Sequence, residues 1–176
     1  MFILLGMPIV QIIIFGFALT NEVKNSKIAV FDQAQDASSK QLVAKISSSA
    51  YFDIAAIIHT QQEIDDVFKR NEVKMVLVIP ASFANDLKQV NNAQVQLIAD
   101  ASDPNNASTL INYASVIIKD YQQQLALDNK VPYNINTQVR MLYNPQLKGA
   151  YSFVPGVMAM VLMLVCTMMT AITIVR

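Results

Sequence analysis

Glycine, histidine and cysteine are scarce in this 176-residue chain, and each shortage excludes a class of site. Of four glycines, only Gly149 lies between residues 20 and 153. Phosphate-cradling loops and the sharp turn that exposes a nucleophilic serine need several glycines, because the backbone must approach a ligand closely or turn sharply. The sequence therefore excludes ATP and dinucleotide sites of those types.

Metal and catalytic sites are disfavoured on similar grounds. His59 is the only histidine and Cys166 the only cysteine, so neither a His/Cys metal cluster nor an internal disulfide framework is available. Asp65 and Asp66 are adjacent, and adjacent residues on a helix diverge, which favours a solvated face over a catalytic pair. We predict that the chain is not an enzyme and binds no metal ion or cofactor of its own.

Charge is balanced, with 13 basic and 13 acidic residues, but it is unevenly distributed. The balance indicates no nucleic-acid partner. Residues 154–175 carry no charge, and as a helix they would reach about 33 Å, against a hydrocarbon core of about 30 Å. We predict a transmembrane helix over residues 154–176 rather than a buried core helix, because a soluble domain normally buries only one helical face.

A second uncharged run, residues 1–19, would reach about 28 Å as a helix, which suffices with some thinning of the bilayer. It lacks a basic leading region and a clear cleavage site, so a transmembrane helix is preferred to a signal peptide. The chain is thus predicted to hold a first span at residues 1–19, a domain at residues 20–153 and a second span at residues 154–176. We also expect it to be part of a longer protein.

The residues between the two runs alternate between strand and helix patterns. Helices are predicted over residues 34–50, after Thr60 and after Asp103, with a short helix carrying Phe83 and Leu87. The predicted strands cover residues 27–33, 51–58, 73–80, 95–99 and 134–143. The β-branched run at 73–80 favours a central strand, and the alternation at 134–143 favours an edge. This order predicts an α/β fold in which helices pack on a mixed sheet.

Two predicted helix starts carry specific signals. Thr60 and Glu63 have the spacing of a capping box, in which each side chain bonds the backbone N–H of the other. Asp100 and Asp103 precede Pro104, where carboxylates stabilise a helix N-terminus. The helix that follows is predicted to bury one stripe, formed by Leu110, Tyr113, Ala114, Ile117, Tyr121 and Leu125.

Three stretches occur in an order that resembles the permease subunit of bacterial ABC-2 type exporters. They read LVIPASFANDL at 77–87, IADASDPNNASTLINYASVII at 98–118 and MLYNPQLKGAYSFVPGVMAMVL at 141–162. Lys148 and Gly149 depart from the pattern, since many relatives carry a small polar residue there. The matching positions are Ile79, Pro80, Phe83, Leu87, Asp100, Ala107, Tyr113, Tyr143, Asn144, Pro145, Val154, Pro155 and Gly156.

The resemblance implies a six-span permease that exports drug-like or lipid-like substrates, of which this chain would hold the first two spans. It implies a multi-pass protein of the bacterial inner membrane, with residues 20–153 extracytoplasmic. The implied partners are a cytoplasmic ABC ATPase subunit that uses ATP, a second permease subunit in a homodimer or paired half-permease, and the lipid bilayer. The sequence leaves three contacts open for the external domain: the substrate, a periplasmic adaptor or only its dimer mate. None of the matching positions is catalytic.

The connection into the second apolar run contains two pairs that combine a stiff residue with a more permissive neighbour. We predict that Asn144–Pro145 and Pro155–Gly156 act as a hinge that sets the angle between domain and span. The alternative is that they simply end a strand and begin a helix.

Two other functions fit the order of span, domain and span. A membrane-anchored sensor, whose external α/β domain binds a small ligand, would continue after Arg176 into a helical linker and a signalling domain. An exporter would continue into further apolar spans instead. A membrane-anchored structural or assembly protein would have neither an ATPase partner nor a signalling module.

Overall fold

The structure, a computed structural model, describes residues 25–129, 132–147 and 150–175. The predicted first span, Lys148, Gly149 and Arg176 lie outside the described residues. Along the described chain, strands and helices alternate as the sequence predicts. In chain order they are β1 (Ser26–Asp32), α1 (Ala37–Ser47), β2 (Phe52–Ile57), α2 (Gln61–Lys69), β3 (Met75–Ile79), α3 (Phe83–Asn85) with a π-helical turn (Asp86–Val90), β4 (Asn92–Asp100), α4 (Pro104–Asn129), β5 (Asn134–Leu142) and α5 (Ala150–Val175).

The five strands form one mixed sheet in the order β2-β1-β3-β4-β5. β1 is parallel to β2 and β3, β3 is antiparallel to β4, and β4 is parallel to β5. The predicted mixed α/β fold is therefore confirmed, with β3 in the centre and β5 at an edge as the sequence indicates.

One row of paired residues crosses the whole sheet and shows which strand ends lie together. Its members, in sheet order, are Ile54, Ile28, Met75, Ala99 and Met141. Ile28 lies near the start of β1, whereas Met141 lies near the end of β5. The chain therefore enters and leaves the sheet at the same end, which we call the junction end. The opposite end, where β1 and β3 stop, is the far end.

The sheet separates two hydrophobic cores. Successive strand residues face opposite sides, so Ile28 packs in the core that α1, α3 and α4 cover, and Ala29 packs in the core under α2. The crossovers β1–β2 and β2–β3 run in opposite directions, and right-handed connections then place α1 and α2 on opposite faces. β1 and β3 are buried on both faces, which explains their nearly continuous apolar runs.

The long helix α4 buries the predicted stripe and more. Leu110, Ala114 and Tyr121 are buried, and the other three predicted members are partly buried. Ile111 and Ile118 are buried as well. The buried face is wider than a single stripe because α4 packs against both the sheet and α1.

The prediction of a capping box at Thr60 is wrong, because the structure has different hydrogen bonds there. The Thr60 side chain makes no cap to a backbone N–H; its hydroxyl donates to Glu63 Oε1 over 2.8 Å instead. Glu63 Oε2 accepts from the backbone N–H of His59 over 3.1 Å. The His59 bond and then the Thr60 bond hold the pKa of Glu63 below its usual value. The hydroxyl thus donates to the carboxylate, and no backbone N–H of the described residues donates to its oxygen.

A capping box forms at α1 instead. Asp36 Oδ1 accepts from the Ser39 backbone N–H over 2.8 Å, and Ser39 Oγ accepts from the Asp36 N–H over 3.1 Å. Here the acidic residue is the N-cap and the serine lies three residues later, which is the reverse of the usual Ser/Thr-x-x-Glu order. A search for the usual order therefore misses this capping box. At α4, Asp103 Oδ1 accepts from the N–H groups of Asn105 and Asn106, as expected of a cap.

Asparagines occupy left-handed backbone positions in this glycine-poor domain. Asn25, Asn71 and Asn91 have φ angles of 53°, 53° and 55°. Asn71 follows the last turn of α2, and Asn91 follows the π-helical turn. Asparagine tolerates this region better than other non-glycine residues. The scarcity of glycine therefore does not prevent these turns.

Tyr121 joins α4 to the first turn of α1. Its hydroxyl donates to the Ser38 carbonyl oxygen over 3.0 Å, and its side chain is buried. Burial, and secondly the negative charge of Asp36, raises the pKa of Tyr121 to about 12. The folded pKa thus exceeds the unfolded value near 10, so the phenol contributes its full stability below pH 10 and loses it as the pH rises towards 12.

We predict that Tyr121→Phe lowers the free energy of unfolding by about 1 kcal/mol near neutral pH, because a buried hydrogen bond is lost. This deficit should shrink as the pH rises above 10, because only the wild type has a phenol at residue 121, and that phenol loses its proton at a lower pH in the unfolded state than in the folded state. Urea unfolding of the full-length protein, followed by circular dichroism, measures both effects. A deficit that stays constant as the pH rises to about 12 contradicts the raised pKa.

Candidate functional site

The junction end of the sheet is the candidate functional site, because both covalent connections of the domain leave from it. β1 begins there at Ser26, and β5 ends there at Leu142. The polypeptide that precedes β1 carries the first apolar run, and the polypeptide that follows β5 leads into α5. Two apolar segments attached at one end of a domain can enter one bilayer without either chain crossing the domain.

A tight turn forms the connection from β5. The Leu147 N–H donates to the Asn144 carbonyl over 3.0 Å, which closes a four-residue turn with Pro145 in the second position. Proline is favoured there because its ring fixes the required φ angle. The Asn144 N–H in turn donates to the Leu142 carbonyl over 2.9 Å. Residues 144–147 thus form a defined turn attached to the end of the strand.

Two features show that this turn is held by its surroundings. Asn144 is a polar residue, yet it is only 5% exposed. No buried side-chain nitrogen or oxygen in the described part of the chain lacks a hydrogen-bond partner. Tyr143 and Leu147 have positive φ angles of 67° and 49°, which are uncommon for residues with large side chains. Such conformations persist only where neighbouring contacts impose them.

The second predicted hinge pair lies inside a helix. α5 begins at Ala150, and Pro155 and Gly156 follow within its continuous run. Residue 154, the predicted start of the second span, therefore falls four residues after the helix begins. Pro155 has no N–H to donate to the carbonyl four residues earlier, and a Cβ placed on Gly156 would meet no atom within 4 Å. This pair is a weak point within α5, and its role as a hinge stays a prediction.

α5 is apolar on all sides. Residues Val154–Ile174 are long enough to cross a membrane, and none of the most apolar window is buried against the rest of the described chain. Val157, Met163 and Ile174 are 41, 72 and 78% exposed. A helix of a soluble core would bury at least one face. The exposure favours the predicted span over the buried core helix.

The family-pattern positions do not converge on one site. Ile79, Phe83, Leu87 and Ala107 are buried in the core that α4 covers. Pro80 ends β3, and its carbonyl accepts from the Phe83 N–H over 3.0 Å. These five positions hold the β3–α3 corner and the start of α4 in place, and they supply no chemistry.

Asp100, Tyr113 and Tyr143 lie towards the junction end. Tyr113 stacks on Tyr51 with ring centroids 4.3 Å apart. Asp100 Oδ1 accepts from the Ser102 N–H over 3.0 Å, and its Oδ2 lies 4.0 Å from the Lys74 ammonium. Tyr143 is 60% exposed. Among the described residues there is no group of three or more His, Cys, Asp or Glu that could hold a metal ion.

The similarity to known proteins covers both apolar runs as well as the domain. A family model described as ABC-2 family transporter protein matches residues 1–176. The chain belongs to the ABC-2 transporter family. The resemblance that the three sequence stretches indicate is therefore confirmed.

Two curated relatives of this ABC-2 family chain come from Escherichia coli (strain K12). The probable multidrug ABC transporter permease YbhR is 30% identical over 168 residues, which are 96% of this chain and 46% of the relative. The probable multidrug ABC transporter permease YbhS is 24% identical over 172 residues, 96% of this chain and 45% of the relative. The chain thus spans about half the length of the curated relatives it matches. Both relatives are named as transport permeases, which agrees with the prediction of a non-enzyme.

A solved structure shares the fold of the domain. It is the crystal structure of a domain assigned to an ABC type-2 transporter from Thermotoga maritima MSB8, with a TM-score of 0.51 and 16% sequence identity. The match covers 65% of this chain and 86% of the other. The match shows that the two domains share an α/β fold.

We predict that Asn144→Ala loosens the turn at the junction end, because removing a buried amide leaves its partners unsatisfied. Hydrogen exchange in a peptide covering residues 143–147 of the full-length protein should accelerate about tenfold or more. Gln146→Ala is the matched control, since Gln146 is an exposed residue of the same turn. Equal exchange rates in the two variants contradict a structural role for the Asn144 side chain.

Proposed function

We propose that this ABC-2 family chain is the first part of the permease subunit of an exporter for drug-like or lipid-like substrates. The observation that supports this most strongly is the family match over residues 1–176, which includes the apolar runs as well as the domain. The relatives named as multidrug ABC transporter permeases align over 96% of the chain, so the support does not rest on the domain alone.

In this proposal the chain crosses the bacterial inner membrane twice, with the α/β domain extracytoplasmic. The common junction end of β1 and β5 supports the arrangement, because both spans then leave the domain towards one bilayer. The charge-free residues 154–175 support α5 as one of the spans. The domain carries charged residues of both signs, and long domains are translocated largely regardless of their charge.

The energy for export comes from a separate cytoplasmic ABC ATPase subunit in this proposal. The domain has one glycine, too few for a phosphate-cradling loop, so ATP binding is assigned to the partner. A second permease subunit completes the translocation path between paired membrane halves, and a periplasmic adaptor is a further partner of the extracytoplasmic domain. The chain itself contributes spans, domain and the connection between them.

Movement of the membrane half reaches the domain through α5 and the turn at residues 144–147. The turn is tight and its asparagine is buried, so bending is expected within the helix, where Pro155 leaves one carbonyl unpaired and Gly156 has free space around it. Pro155 and Gly156 are thus the proposed flexible point, and Asn144 and Pro145 the proposed rigid attachment.

The test of the proposed function is co-purification from native membranes. The full-length protein, expressed with its genomic neighbours and solubilised gently, should retain an ATPase subunit at about one copy per permease, with hydrolysis that vanadate inhibits. Replacing the lysine in the phosphate-binding loop of that subunit should abolish hydrolysis and preserve the complex. A homodimer without ATPase would contradict the exporter and favour the sensor.

We predict that Gly156→Leu lowers export about fivefold and leaves complex assembly intact, because replacing glycine stiffens the helix by about 0.8–1 kcal/mol. The added side chain meets open space, so no clash explains the effect. Ala159→Leu adds bulk one turn away at an exposed position and serves as the control. Export at the wild-type rate in Gly156→Leu would refute the hinge.

A further inference from the structure

A cleft opens between α1 and the edge strand β2, towards the far end of the sheet. Its volume is about 390 Å³, within the range of pockets that hold small molecules. Val30, Ile54 and Ile57 from the sheet line one side, and Val43 and Ala44 of α1 line the other. Ligands of α/β sheets commonly bind beyond the carboxyl ends of parallel strands, and β1 and β2 are a parallel pair.

A β-bulge creates the apolar side of the cleft. Ile28 pairs with Ile54, but the next residue of β1, Ala29, pairs with Ala56, so β2 carries one extra residue. Val30 consequently pairs with Ile57. Without the bulge, strict alternation would turn Ile57 to the α2 side of the sheet. The bulge instead brings Ile57 to the same side as Ile54, an effect for which bulges near binding sites are known.

This apolar surface is left uncovered in the structure. Ile57 is 67% exposed, although it neighbours the buried Val30. Covering an exposed isoleucine with apolar groups is favourable, since the free energy scales with the apolar area removed from water. A ligand with an apolar body would therefore gain affinity here.

Two charged side chains, Asp32 and Lys40, line the mouth of the cleft, and only one of them is already hydrogen-bonded to other described residues. The Asp32 carboxylate already accepts three hydrogen bonds: Oδ1 from the N–H groups of Ala34 and Gln35, and Oδ2 from the Ser39 hydroxyl over 2.7 Å. These bonds commit it to the turn before α1. The Lys40 ammonium, which also lines the cleft, makes no hydrogen bond or ion pair with another described residue. The Asp32 carboxylate keeps its negative charge, but Lys40 is the charged group whose hydrogen-bonding positions are open to a ligand.

We propose that this cleft binds an amphiphilic anion. An aromatic or branched aliphatic body packs on Val30, Ile54 and Ile57, and a sulfonate, carboxylate or phosphate group pairs with Lys40. The site lies in the domain and away from the junction end, and it does not depend on ATP-driven export. It assigns to the domain a ligand-binding role in addition to its place in the permease.

The test is equilibrium binding of naphthalene-2-sulfonate to the full-length protein in lipid nanodiscs, with 2-naphthalenemethanol as the neutral analogue. Saturable binding of about one sulfonate per chain is expected, above the level of empty nanodiscs. Lys40→Gln should weaken sulfonate binding about tenfold, the size expected for one charge-assisted contact, and leave the neutral analogue unaffected. Ile57→Asp should weaken both probes.

Two matched controls lie on α4. Val116 is 65% exposed, close to the 67% of Ile57, so Val116→Asp introduces the same charge at equal exposure elsewhere. Lys119→Gln removes an exposed lysine on the same helix. Neither should change binding. Hydrogen exchange across the sheet, unchanged in all variants, shows that the fold is retained.

Three results would overturn the proposal: no saturable binding, equal loss in Ile57→Asp and Val116→Asp, or sulfonate binding that Lys40→Gln leaves unchanged. The outcome is independent of ATPase co-purification. Binding without an ATPase partner would retain the cleft and reject the exporter, whereas an ATPase complex without binding would retain the exporter and reject the cleft.

Discussion

The antiparallel pairing of β3 with β4 is the constraint on which the rest of this structure depends. β1, β2 and β3 run in one direction, so a fourth parallel strand would have carried the chain to the far end. Residues 80–91, which contain α3 and the π-helical turn, connect β3 to β4 at the far end and reverse the direction of the chain. Because β4 is reversed and β5 is parallel to it, the domain ends beside its own beginning.

That reversal divides the domain into two ends with different properties. The junction end receives both connections and holds its outgoing chain in a turn with a buried asparagine. The far end receives no connection to an apolar run, and there the bulge in β2 leaves an apolar cleft beside α1. The connections to the apolar runs and the cleft thus lie at opposite ends of the domain.

Much of the fold follows from local patterns. The alternation of strands and helices, the central place of the β-branched run in β3 and the edge position of β5 all correspond to periodicities of 2 and 3.6 residues. Details that depend on side-chain partners do not follow so directly. Thr60 and Glu63 have capping-box spacing, yet the threonine hydroxyl donates to the carboxylate. Spacing places two groups near each other, but it does not decide which is donor and which is acceptor.

The sequence by itself determined the apolar character of residues 154–175, the scarcity of glycine between residues 20 and 153 and the family, because each depends on composition or on the order of residues. Only the tertiary structure decided that β1 begins where β5 ends, because strand direction is set by pairing between distant segments. It also decided that Ile57 lies beside Val30. A one-residue bulge is invisible in the sequence, since it exists only as a difference in register between two strands.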